Sequence, residues 1–316
     1  DTMRKKHFLF ASVLALLCGS STLHAQDFKL TSSGYFKNQG VDVMAFDDIY
    51  PEGHQGGVCI IMNGHRVATN GDIRLEATPG QWQPVPKQLD RKLGDNSITA
   101  TLCYPDSSRH LTGFNPMIYP DLHLIYTVNV ESKGKNIEVT VDLDRPIPQE
   151  FIGKVGFNLE FFPGSLFGKP WIMDGQSGIF PQQPNSPLMT TQPNYLHTGN
   201  YHDGKKSLAD MDKLIGKGYS PIVADDIISE PYAKGTKFTS RPDDPYNKVT
   251  IESLSGDLQL FDGRMNHNNG WFVLRSNIKP GVTKGAVKWI ITPNVVADWM
   301  YQPVIQTSQI GYHPTQ

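Results

Sequence analysis

The segment LHLIYTVNVESKGKNIEVTVDL, residues 122–143, constrains this chain more than any other. Leu122, Leu124, Tyr126, Val128 and Val130 fall on one face, alternating with His123, Ile125, Thr127 and Asn129. After the turn sequence ESKGK, Ile137, Val139, Val141 and Leu143 alternate with Glu138, Thr140 and Asp142. Successive side chains of a strand point to opposite faces, so a period of two predicts an antiparallel hairpin with one dry face and one wet face. A helix cannot bury such a pattern on one side.

The same signal recurs along the chain. VCIIMNGHRVA contains Asn63-Gly64, a pair that tolerates positive φ at both positions and suits a tight hairpin turn, and Asn70-Gly71 repeats it. VTIESLSGDLQLFDG, GWFVLRSNI and GAVKWIITPNV predict further strands, with Trp271 and Trp289 inside apolar runs and therefore in the core. One short helix is expected at 208–216, where Ser207 caps LADMDKLIG and Leu208, Met211, Leu214 and Ile215 share a face. Residues 162–206, rich in Pro, Gly, Asn and Gln with scattered aromatics, predict a long irregular stretch, either a ligand-contacting loop or a crossover between sheets. The expected class is all-β: a large antiparallel β-sandwich spanning residues 27–302.

Residues 3–25 read as a secretory signal. Arg4, Lys5 and Lys6 follow Met3, HFLFASVLALLC is an apolar core shorter than the ~20 residues a membrane helix needs, and Leu23-His24-Ala25 resembles a cleavage site before Gln26. Acylation at Cys18 is the rival reading, although Leu17 stands where a small residue is expected. The expected location is secreted or periplasmic, or the outer membrane as a lipoprotein. No later run is long enough for a transmembrane helix.

Charge excludes some partners. A formal net charge of -2 leaves no basic surplus to neutralise phosphates, so nucleic acid is not expected as a partner. Cys59 and Cys103 each lie in an apolar run, as two buried thiols or as one disulfide in an exported chain. His197 and His202 lie in the irregular stretch without the spacing of a metal site, and no phosphate-binding, dinucleotide-binding or serine-hydrolase motif occurs; neither a metal nor a cofactor is expected.

Two kinds of site remain. Asp47-Asp48, Asp225-Asp226 and Asp243-Asp244 are adjacent carboxylates, with Glu160 and Asp174 near aromatics, and glycoside hydrolysis uses two carboxyl groups roughly 5 to 10 Å apart. Neighbours on a strand point apart, however, and RPDDPYN reads more simply as a Pro-flanked turn. The second kind is aromatic: sugars stack their C–H faces on indole and phenol rings, which makes Trp82, Trp171, Tyr195 and Tyr201, with Asp174 beside them, the candidate glycan contacts. Packing against local prolines is the alternative role for the two tryptophans.

The closing residues, 303–316, start a new pattern. IQTSQIGYHP places Gln309, Ile310, Gly311, Tyr312 and Pro314 in an order that resembles the opening strand of the immunoglobulin-like domain ahead of the catalytic barrel in family-nine glycoside hydrolases. FNLEFFPGSLFGKPW and GIFPQQP similarly resemble the long N-terminal extension of such enzymes in Bacteroidetes. The resemblance implies an accessory region of an inverting, β-glucan-type hydrolase, packed on a downstream catalytic domain. That family's Asp-x-Gly-Asp motif does not occur in these 316 residues, so no catalytic residue is implied here. If the resemblance misleads, Val304–Ile310 should close the main sheet as its last strand. The remaining alternatives are a free-standing carbohydrate-binding protein and a self-contained sugar-active enzyme, the latter needing His123 or His202 to converge with Asp174.

Overall fold

The computed structural model describes residues 27–47, 56–76, 78–79, 86–104, 108, 122–183, 188–189, 228–265 and 270–303. Its strands are β1 (Lys29–Leu30), β2 (Phe36–Asn38), β3 (Val41–Ala45), β4 (Val58–Met62), β5 (His65–Leu75), β6 (Lys87–Leu93), β7 (Ser97–Cys103), β8 (Ile125–Lys133), β9 (Asn136–Leu143) and β10 (Val155–Phe161). They continue with β11 (Pro170–Met173), β12 (Gln176–Ile179), β13 (Leu188–Met189), β14 (Ile228–Ser229), β15 (Ala233–Gly235), β16 (Lys237–Ser240), β17 (Val249–Ser253), β18 (Leu258–Asp262), β19 (Phe272–Asn277) and β20 (Val287–Pro293).

Two antiparallel sheets carry the fold. The first has the order β1-β2-β3-β4-β5-β10-β19-β18-β15 and the second β12-β11-β16-β17-β20-β9-β8-β7-β6. The alternation at 122–143 becomes the β8–β9 hairpin, closed by Gly134 at φ 64, with Tyr126, Val128, Val130, Ile137, Val139 and Val141 each at most 1% exposed. Their inward faces meet the first sheet: Phe157 packs edge-on to Trp289 at 5.0 Å, and Phe161 edge-on to Phe238 at 5.7 Å. Trp289 is buried as expected, and its indole N–H is not wasted, donating to Ser276 Oγ at 3.0 Å. The all-β sandwich anticipated from periodicity is the observed architecture. No helix among the described residues is long and apolar enough to cross a membrane.

The two Asn-Gly pairs do different work. Asn63 (φ 53) and Gly64 (φ 82) form the tight turn between β4 and β5. Asn70 (φ 55) and Gly71 instead lie within β5, where the register slips against both neighbouring strands, so this pair makes a bulge and no turn. Glycine is required there because a Cβ on Gly71 would sit 2.6 Å from Val58 Cβ.

The irregular stretch also needs correction at its start. Trp171 and Met173 face inward and Ile172 outward, enough alternation to fold 170–179 into the β11–β12 hairpin on the edge of the second sheet. The expected helix at 208–216 and the closing residues 304–316 lie outside the described residues.

Candidate functional site

A polar cluster forms across the middle of the first sheet. In β10, Phe157, Leu159 and Phe161 point into the sandwich, so alternation sends Asn158 and Glu160 to the opposite face. Register then brings Asp72 of β5 and Arg275 of β19 to either side of Asn158. Gly156 makes room for the guanidinium, since a Cβ there would meet Arg275 Nε at 2.7 Å.

Arg275 is satisfied from several directions. It donates through Nη1 to Glu76 Oε1 and Asn158 Oδ1, both at 3.1 Å, through Nη2 to the carbonyls of Glu76 and Lys154, and through Nε to Asn277 Oδ1 at 2.7 Å. Asn158 Nδ2 donates to the same Glu76 oxygen at 2.5 Å. Nearby, Arg74 approaches Asp72 at 3.6 Å, Tyr126 crosses from the second sheet to donate to Asp72 Oδ1 at 2.9 Å, and Asn70 donates to Glu160 at 2.7 Å.

Burial governs the charges of this cluster. Asp72, Glu76, Glu160 and Arg275 are no more than 3% exposed. Desolvation pushes Glu76 up to about 7, against the pull of Arg275 and the hydrogen bond from Asn158. It pushes Asp72 up to about 6, against the pull of Arg74 and Tyr126. Beside Glu160, Thr69 is buried with a hydroxyl that has no hydrogen-bond partner among the described residues.

A second feature is open to solvent. A cleft of about 570 Å³ lies at one end of the sandwich, where the start of β5 and the end of β10 face the β16–β17 turn. Its polar lining includes His65, Arg66, Ser240, Arg241 and Asn247, and its apolar lining includes Phe161 and Phe162. Arg241, at φ 54, is fixed by Asp243 at 3.2 Å and Asp244 at 2.7 Å. Asn247 also donates to Asp244, at 2.8 Å. Hydrogen bonds from Asn247 and the Tyr246 N–H, together with Arg241, outweigh partial burial and hold the Asp244 carboxyl below its ordinary range. RPDDPYN is thus a turn, as its prolines suggested, and it shapes one wall of the cleft.

Phe162 is the cleft's exposed aromatic, 48% accessible, and it packs edge-on against Trp271 at 5.0 Å. Trp271, expected in the core, is only half-buried because it stands just ahead of β19, at the sheet margin.

Those anticipated site residues that are described do not line the cleft. Trp171 is 6% exposed, with its indole against Gly178 and no hydrogen-bond partner for its N–H among the described residues; strand alternation turns it into the core. Asp174, at φ 49, accepts the backbone N–H groups of Thr236 (2.9 Å) and Lys237 (3.0 Å), so its carboxylate ties the β11–β12 turn to β16. His123 is exposed at φ 46. Cys59, buried on β4 of the first sheet, and Cys103, half-buried at the end of β7 in the second, are both free thiols. Burial raises the Cys103 thiol above its ordinary value. Trp82, Tyr195, Tyr201, His197, His202, Cys18 and Asp225-Asp226 lie outside the described residues. Among the described residues no group of three His, Cys, Asp or Glu side chains could hold a metal ion.

Sequence reasoning singled out Glu160 but missed Asp72, Arg74, Glu76, Asn158 and Arg275. The available signal was ionisable residues embedded in strand runs, as in NGDIRLE and WFVLRSN.

No known protein family and no curated protein matches the chain. Among solved structures, the X-ray structure of a galactose mutarotase related enzyme from Lactobacillus acidophilus is similar, at 9% identity and a TM-score of 0.36 over 82% of this chain and 96% of that one.

Proposed function

We propose that this chain is the glycan-contacting, N-terminal accessory region of a secreted polysaccharide-degrading glycoside hydrolase of the family-nine type. The observation that carries the reading is the cleft at the sheet ends. It combines an exposed aromatic ring, Phe162, with the fixed donors Arg241 and Asn247. Sugar recognition needs that combination: a ring for C–H faces and rigid polar groups for hydroxyls. The signal-like residues 3–25 and the family-nine-like order at 309–314 support the same reading.

Isothermal titration with β-glucan oligosaccharides tests the glycan contact. Measurable heat that Phe162→Ala abolishes supports it, and no heat from the wild-type chain overturns it. The coding sequence beyond Gln316 tests the accessory part. A frame that continues into a helical barrel with an Asp-x-Gly-Asp motif supports it, and a stop codon replaces it with a free-standing carbohydrate-binding protein.

One observation favours a second reading, a self-contained sugar-active enzyme. Burial raises the Asp72 carboxyl to about 6 and the Glu76 carboxyl to about 7, and the Thr69 hydroxyl beside Glu160 has no hydrogen-bond partner among the described residues. Turnover of a sugar by the purified chain, lost in Asp72→Asn and Glu160→Gln variants that remain folded, would establish it. Absence of turnover across a panel of mono- and oligosaccharides would remove it.

A further inference from the structure

The opposite wall of the β16–β17 hairpin carries a different chemistry. There the outer face of the second sheet has a hollow of about 430 Å³ whose lining includes Lys135, Lys237, Lys248, Thr250, Thr292 and Asn294. Three elements bring the lysines together: the β8–β9 turn supplies Lys135, β16 supplies Lys237, and the residue entering β17 is Lys248. Among the described residues none of the three forms an ion pair with a carboxylate. The nearest acid by register, Glu252, stands across from Lys237 on β17 without pairing with it.

The floor between them is rigid. Thr292 Oγ1 donates to Asn136 Oδ1 at 2.9 Å, the Thr239 and Thr250 hydroxyls share a hydrogen bond at 3.1 Å, and Asn294 donates to the Pro245 carbonyl at 2.7 Å. A Thr292 hydroxyl that has given its proton to Asn136 keeps lone pairs for a ligand hydroxyl. Three lysines lining one hollow give it a positive potential that favours an anion.

We propose that this hollow binds the acid groups of a charged saccharide, the carboxylates of uronic acid residues or sulfate esters. This rests on the saccharide-contacting reading above and adds the class of ligand. The hollow is in the size range of small-molecule sites and far larger than one inorganic anion. It lacks an aromatic lining on which nucleobases could stack. Lys133, two residues from Lys135, is neutralised by Glu131 and Glu138 and does not extend the basic lining. Lysine donors for the acid group and threonine acceptors for hydroxyls match an acidic sugar.

The test is titration of the wild-type chain, a Lys237→Ala/Lys248→Ala variant and Phe162→Ala with oligogalacturonide, a neutral cello-oligosaccharide, sodium sulfate and duplex DNA. The proposal expects oligogalacturonide to bind at low salt, to weaken at about 0.5 M NaCl as exposed charges are screened, and to lose roughly tenfold or more in the lysine variant. Phe162→Ala should leave that binding unchanged. Oligogalacturonide binding that ignores the lysine substitutions overturns the proposal. So does sulfate binding as tightly as the saccharide, or DNA displacing it at equal affinity. If the neutral oligosaccharide binds through Phe162 while oligogalacturonide does not bind, the lysine site alone fails. If neither saccharide binds, the saccharide reading itself has failed.

Discussion

Arg275 is 1% exposed, and its partner Glu76 is equally buried. Removing one member of such a pair leaves the other's charge without compensation in a medium that solvates it poorly. Arg275→Ala should therefore destabilise by about 3 to 5 kcal/mol, read as a lowered urea midpoint, whereas replacing Glu76 and Arg275 together with Leu and Met should cost much less. A single-variant loss under about 1 kcal/mol would contradict the cluster's role in the fold.

Glu76 also makes stability depend on pH. Its folded value, about 7, lies above the ordinary 4.5, so the folded chain holds this proton more tightly than the unfolded chain does. That contribution is fully present below pH 4.5 and is lost as pH rises through about 7. The loss is on the order of 3 kcal/mol, and Asp72, raised from 3.8 to about 6, adds a parallel loss at lower pH. Glu76→Gln should flatten the decline in urea-unfolding free energy between those limits; an unchanged profile would place the titration elsewhere.

At the scale of elements, β5 depends on one small residue. Because a Cβ on Gly71 would collide with Val58, Gly71→Ala should cost about 1 to 3 kcal/mol. Gly175, at the β11–β12 turn, has nothing within 4 Å of such a Cβ, so Gly175→Ala should stay within about 0.5 kcal/mol. Thermal denaturation of the pair checks the contrast. The β8–β9 hairpin was legible because its alternation is local and unbroken. Asn70-Gly71 was not legible as a bulge, since the dipeptide carries the same φ preference in a turn and in a bulge, and only the register against β4 and β10 tells them apart. The β11–β12 hairpin was hidden by proline and glycine counts that outweighed four residues of alternation.

For the whole molecule, class was legible, whereas the polar cluster around Arg275 was not. Periodicity states which face of each strand is dry, and that is enough to predict two packed sheets. Which strands become neighbours depends on contacts far apart in sequence: the bond from Arg275 to Glu76 spans 199 residues and that from Asn158 to Glu76 spans 82. Side-chain direction is set in the same non-local way. Trp171 sits in a Pro- and Gly-rich stretch yet lies on an inward strand position, while Phe162, within an apolar run, emerges at the cleft.

The central claim is that the cleft beside Phe162 contacts a saccharide. Isothermal titration of the purified chain with a β-glucan oligosaccharide, run in parallel on Phe162→Ala, tests it most directly. The account predicts binding by the wild-type chain and an affinity at least about tenfold lower in the variant, the scale expected when a stacked aromatic is lost. Equal affinities in the two proteins, or no heat from the wild-type chain, would contradict it.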